Sequence, residues 1–136
     1  MDKATLVEVD IAGGERVLQI LDQAGFKVNV ALWLYSSEFE AWRLYIASPV
    51  VDAEGPKKAY VRLLSAIRAF DPDLTTAITI TLVSPKDLLM RALRRTFGTA
   101  ASVHGMRLGG NVIDGVFVEQ AYVYRITGNQ SRPAIR

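Results

Sequence analysis

The sequence predicts an α+β fold: a two-layer sandwich in which a mostly antiparallel sheet of four to five strands carries three helices on one face. Three observations lead there. Segments centred on residues 14–24, 56–70 and 85–97 each carry a single apolar stripe at helical spacing, the pattern of a helix that buries one side only. Residues 77–83 (AITITLV) alternate aliphatic and hydroxyl side chains, the period of a strand with unlike faces. Two aromatic-rich runs at 27–35 and 41–48 are separated by a short polar segment, 36–40, of ordinary hairpin-loop length.

In chain order, residues 6–11 (LVEVDI) alternate like a short strand. The first helix then places Val17, Ile20, Leu21 and Ala24 on its buried side, and Gly25 stops it because glycine accepts the left-handed conformation. Pro49, which cannot donate to a ladder, ends the second hairpin strand. The next helix starts between residues 52 and 56, where an acidic cap and a proline suit a first turn, and buries Tyr60, Leu63, Leu64, Ile67 and Phe70. After the 77–83 strand, Ser84 stands as N-cap, Pro85 at the first helical position and Asp87 at the third. That helix runs to Phe97 and closes at Gly98, with Leu88, Leu89, Ala92 and Leu93 inward and Arg91, Arg94 and Arg95 outward. Beyond it, a short strand through His104 to Leu108, a turn at 109–111 (GGN) and a long strand over 116–126 complete the expected order. Residues 1–127 read as a single α+β domain and 128–136 as a flexible tail.

The 136 residues fit one domain with one core. The longest uncharged apolar run, 28–35, is far short of the roughly 20 residues a spanning helix needs, so no membrane partner is expected. Acidic residues near the start do not suit a secretory signal, which points to the cytoplasm. There is no cysteine, hence no disulfide and no thiolate chemistry. Sixteen basic against fourteen acidic side chains give a net charge of +2, a weak argument for a nucleic-acid partner.

Function is sought first in the sheet. Val28, Val30, Leu32 and Leu34, matched with Trp42, Leu44 and Ile46 and with Ile78, Ile80 and Leu82, form the expected floor for the helices. The opposite face then collects Trp33, Tyr35, Arg43 and Tyr45, with Tyr122 and Tyr124 from the last strand. With every helix on the other side, this face is expected to be open. Trp, Tyr and Arg are the residue types enriched in interface centres, so the first expectation is a non-catalytic assembly protein that forms a homodimer or binds another protein there. The N-terminal segment or a loop folding over the same residues, bases stacking on them, and a small-molecule pocket are the alternatives. A slip of one residue in any strand would exchange the faces.

Catalytic motifs are scarce. His104 is the only histidine, which leaves zinc hydrolases without their ligand pair. Neither 13–16 (GGER) nor 109–112 (GGNV) forms a phosphate loop, and no nucleophile elbow is present. A small enzyme would rest on His104 with Ser102 and a distant acid. No catalytic residue, cofactor or metal is assigned. The pairs Glu38/Glu40, Asp52/Glu54 and Asp71/Asp73 fall in turns and at helix ends, where capping and solvation account for them; Asp114 and Glu119, near the last strand, are a slightly better metal-site candidate because strands fix geometry better than turns, though their spacing is not diagnostic. Arg91, Arg94 and Arg95 share one helix side and are the candidate phosphate-binding set, which makes a nucleic-acid-binding accessory protein the competing expectation. Residues 114–119 (DGVFVE) lack the glycine-aromatic signature of the four-stranded RNA-binding fold.

Overall fold

A computed structural model describes residues 6–100 and 102–128. The elements are α1 Glu8–Gln23, β1 Val30–Ser36, β2 Ala41–Ala47, α2 Val50–Glu54, α3 Pro56–Phe70, α4 Leu74–Ala77, β3 Ile80–Val83, α5 Leu88–Phe97, β4 Arg107–Ile113 and β5 Val116–Ile126. They form an α+β fold around one five-stranded sheet of order β3-β2-β1-β5-β4. Only β2 and β3 run parallel; the other three pairings are antiparallel.

The helices lie on both sides of this sheet, so the expected two layers are three. Val17, Leu18, Ile20 and Leu21 of α1, with Leu63 and Ile67 of α3, pack against Ala31, Trp33, Leu44, Ile46, Ile80 and Tyr124. On the opposite side Met90, Ala92 and Leu93 of α5 meet Val30, Leu32, Ala47, Ala121, Val123 and Ile126. Full burial of one large aliphatic side chain stabilises by roughly 1.5–3 kcal/mol, so each sheet face recruits a helix of its own.

The register of the first hairpin decides this. A five-residue loop over 36–40 would set Leu34 opposite Trp42 and Leu32 opposite Leu44. Instead Ser36 pairs with Ala41, and Glu40 closes the shorter turn in the left-handed region at φ 50°. That difference of one residue puts Trp33 opposite Leu44 and Leu32 opposite Tyr45, and so exchanges β1's faces relative to β2. The match of Ile80 and Leu82 with Leu44 and Ile46 stands.

Several boundaries move for local reasons. Residues 8–11 join α1 rather than a strand: Asp10 accepts the Val7 N–H at 3.2 Å, and acidic side chains at 8 and 10 suit the positive end of a helix. Gly55, at φ 92°, breaks the second expected helix into α2 and α3, with Pro56 opening the latter. Residues 74–77 form a helical turn, leaving β3 only residues 80–83. Ser84 does not cap α5. Its carbonyl and hydroxyl accept from Asp87 N–H and Lys86 N–H in a turn, and Asp87, with extended backbone, caps the helix through Leu89 N–H at 3.2 Å. Gly98 closes α5 as expected, its N–H donating to Arg94 O.

The last hairpin turns at Asp114-Gly115, not at 109–111. Both residues have positive φ, 48° and 84°, as a two-residue turn of the mirror-image type requires. The glycines at 109 and 110 lie within β4. Of the expected tail, Gly128 is described and sits against Gly98; residues 129–136 lie outside the described residues. Among the described residues no helix is long and apolar enough to cross a membrane.

Candidate functional site

The six residues expected to share an open face are divided by the sheet. Trp33, Tyr35, Tyr122 and Tyr124 belong to the α1 side, Arg43 and Tyr45 to the α5 side. The open face itself is corrected: α1 covers it. Trp33 and Tyr124 are each 4% exposed, and a Cβ on Gly14 of α1 would stand 2.8 Å from Tyr124 Cζ and 2.9 Å from Trp33 Nε1. Only a glycine lets the helix come so close. The Tyr124 hydroxyl accepts from Trp33 Nε1 at 2.9 Å and donates to the Ile11 carbonyl at 2.6 Å, tying both strands to α1. Burial raises the Tyr124 pKa well above the usual phenol value, and the bond from Trp33 offsets part of that rise.

The other four members have neighbours of their own. Tyr122 meets Tyr124 edge-on at 5.3 Å between centroids, with the Arg107 guanidinium 5.0 Å from its ring. Tyr35 lies 5.7 Å from Trp42, Arg43 stacks 4.0 Å from the Phe39 ring, and half-buried Tyr45 packs at the margin of the α5-side core.

Ser102 and His104 do come together, lining a cavity of about 210 Å³ with Tyr124 and Arg125. The distant acid is Glu15, whose Oε1 lies 2.9 Å from His104 Nε2. The remaining functional groups of this cavity are committed elsewhere. The Tyr124 hydroxyl is held by Trp33 and Ile11, and Arg125 is bidentate on Asp22, at 3.0 and 2.7 Å. No hydrogen bond joins Ser102 to His104 among the described residues. Among the candidate carboxylates, Asp52 accepts from Ser84, Glu54 pairs with Arg62, and Glu119 accepts from Ser37.

The three arginines of the candidate set all lie on α5. Residues 91, 94 and 95 are three and four apart on a helix, hence neighbours on its outer side, while Met90, Ala92 and Leu93 anchor the inner side to the sheet. The turn at 84–87 folds back beside them, pinned to α2 by Ser84 Oγ donating to Asp52 at 2.8 Å. The result is a cleft of about 310 Å³ lined, among the described residues, by Pro85, Lys86, Arg91, Arg94 and Arg95.

The four cations are not equivalent. Arg94 donates Nε to Thr127 O at 2.9 Å and Nη2 to Gly128 O at 3.2 Å, so its charge is positioned without being neutralised. Gly98 and Gly128 approach closely there: a Cβ on Gly128 would stand 2.8 Å from Gly98 O. Arg95 is paired with Asp114 at 2.7 Å. Lys86 and Arg91 have no side-chain hydrogen bond or ion pair among the described residues. Sequence reasoning missed Lys86, because a continuous helix from Ser84 hides the turn that carries it alongside Arg91. The serine two residues before it, able to bind its N–H, was the available signal.

No protein-family model, no curated protein and no solved structure matches this chain. Four donors-only cations around a concavity at the small end of the range for small-molecule sites suit an anion with many acceptor oxygens.

Proposed function

We propose that the protein binds a phosphate-bearing ligand in the cleft beside α5. The observation that carries this reading is the convergence of Lys86, Arg91, Arg94 and Arg95 on one cavity of about 310 Å³. The chain as a whole is only +2, so these charges are a local concentration and not the sample of a uniformly basic surface. Guanidinium groups match phosphate oxygens bidentately, and lysine adds a mobile point charge. The aromatic residues first expected to form an interface offer less, since Trp33 and Tyr124 are spent on holding α1.

Calorimetric titration at low ionic strength tests the reading with inorganic phosphate, pyrophosphate, a mononucleotide and a short single-stranded oligonucleotide. At least one should bind, weaken with added salt, and lose its binding in Arg91→Glu. A protein that takes up none of the four, or an Arg91→Glu variant that binds as well as the parent, would overturn it.

A further inference from the structure

Resting on that reading, we infer that the ligand presents a terminal phosphoryl group, a phosphomonoester or a diphosphate on a small molecule, and that Lys86 and Arg91 grip it. The argument is one of charge balance. Asp114 neutralises Arg95, and the partners of Arg94 are uncharged carbonyls. Lys86, Arg91 and Arg94 therefore bring three positive charges, unpaired by any acidic group among the described residues, to a single small concavity.

A phosphodiester carries one negative charge per phosphate, and the next phosphate lies further along the strand. A nucleic-acid backbone would thus leave most of this local charge unmatched. A terminal phosphate brings roughly 1.5 to 2 negative charges at neutral pH with three acceptor oxygens, and a diphosphate brings more. Arg94, fixed through Thr127 and Gly128, is the positioning member; Lys86 and Arg91 have the free donors.

The test is calorimetric titration of the full chain, without divalent cations, using pyrophosphate, adenosine 5′-monophosphate and a short thymidine oligonucleotide made with and without a 5′-phosphate. Pyrophosphate and the mononucleotide should bind, and the oligonucleotide lacking a terminal phosphate should bind at least about tenfold more weakly. Lys86→Ala and Arg91→Ala should each weaken pyrophosphate roughly tenfold, the scale of one charged hydrogen-bonded contact, with unfolding midpoints unchanged because both side chains are exposed. Equal binding of the unphosphorylated strand, lost in Arg91→Ala, would overturn the terminal-phosphate inference while the broader reading survived. Binding of the 5′-phosphorylated strand alone would overturn the small-molecule source. Undiminished pyrophosphate binding in both variants would remove Lys86 and Arg91 from the grip, and silence from every probe would remove the cleft altogether.

Discussion

Tyr124→Phe removes one oxygen from a place where two elements depend on it, and its cost can be worked out group by group. The hydroxyl accepts from Trp33 Nε1 at 2.9 Å and donates to Ile11 O at 2.6 Å, between residues 33 and 124 that are each 4% exposed. Without it the indole N–H is left buried and unpaired, which costs about 1–3 kcal/mol, and the bond to the Ile11 carbonyl takes about 1 kcal/mol with it. A loss of about 2–4 kcal/mol is a large share of the 5–15 kcal/mol typical of a domain.

The same hydroxyl sets a pH dependence. Burial raises its pKa in the folded protein above the value of about 10 of an unfolded tyrosine. A raised folded pKa means that the folded state keeps a proton which the unfolded state has already released. The contribution is complete below about pH 10 and is lost as pH climbs through the folded pKa, with a slope approaching about 1.4 kcal/mol per pH unit. Urea unfolding of parent and Tyr124→Phe, at neutral pH and at steps above pH 10, measures both effects. The variant should be weaker at pH 7 and should decline less steeply in alkali. A neutral-pH loss under about 0.5 kcal/mol, below the smallest cost of the buried N–H, or parallel alkaline slopes, would show that the hydroxyl does not hold α1 to the sheet.

Gly14→Ala should destabilise by about 1–3 kcal/mol or more, since the new methyl falls within contact distance of both Tyr124 and Trp33; thermal unfolding measures it, and a neutral result would refute the close approach of α1. Asp87→Ala should cost about 1 kcal/mol through loss of the α5 cap, read by urea unfolding, whereas Ser84→Ala should leave the helix end intact because Asp87 and not Ser84 binds Leu89 N–H.

Much of the local structure was legible. The end of α5 at Gly98 and the common side of Arg91, Arg94 and Arg95 were legible without tertiary information, whereas of the expected stripe Ala92 and Leu93 are buried but Leu88 is 64% exposed and Met90 takes an inward place. The errors cluster where two local rules compete. Residues 6–11 fit a strand by alternation and a helix start by their acids, and contact with Tyr124 favours the helix. Asp114-Gly115 is a strong turn signal that the neighbouring 109–111 glycines obscured.

The sequence by itself determined most of the residues that each helix and strand buries on one side, although Tyr60, Phe70 and Leu88 of the expected stripes are exposed, together with the absence of cysteine chemistry and of a histidine pair, and the arginine set on one helix face. Tertiary structure decided how those sides are matched. A period of two fixes faces within a strand but says nothing across strands, so a four-residue turn in place of a five-residue one was enough to put Trp33 with Leu44 and to give both sheet faces a need for cover. The same holds for the cleft. Three of its cations share a helix face by spacing alone, but Lys86 joins them only because the chain folds back at Ser84, and Arg94 and Arg95 find Gly128 and Asp114 only through strands that follow later in the chain.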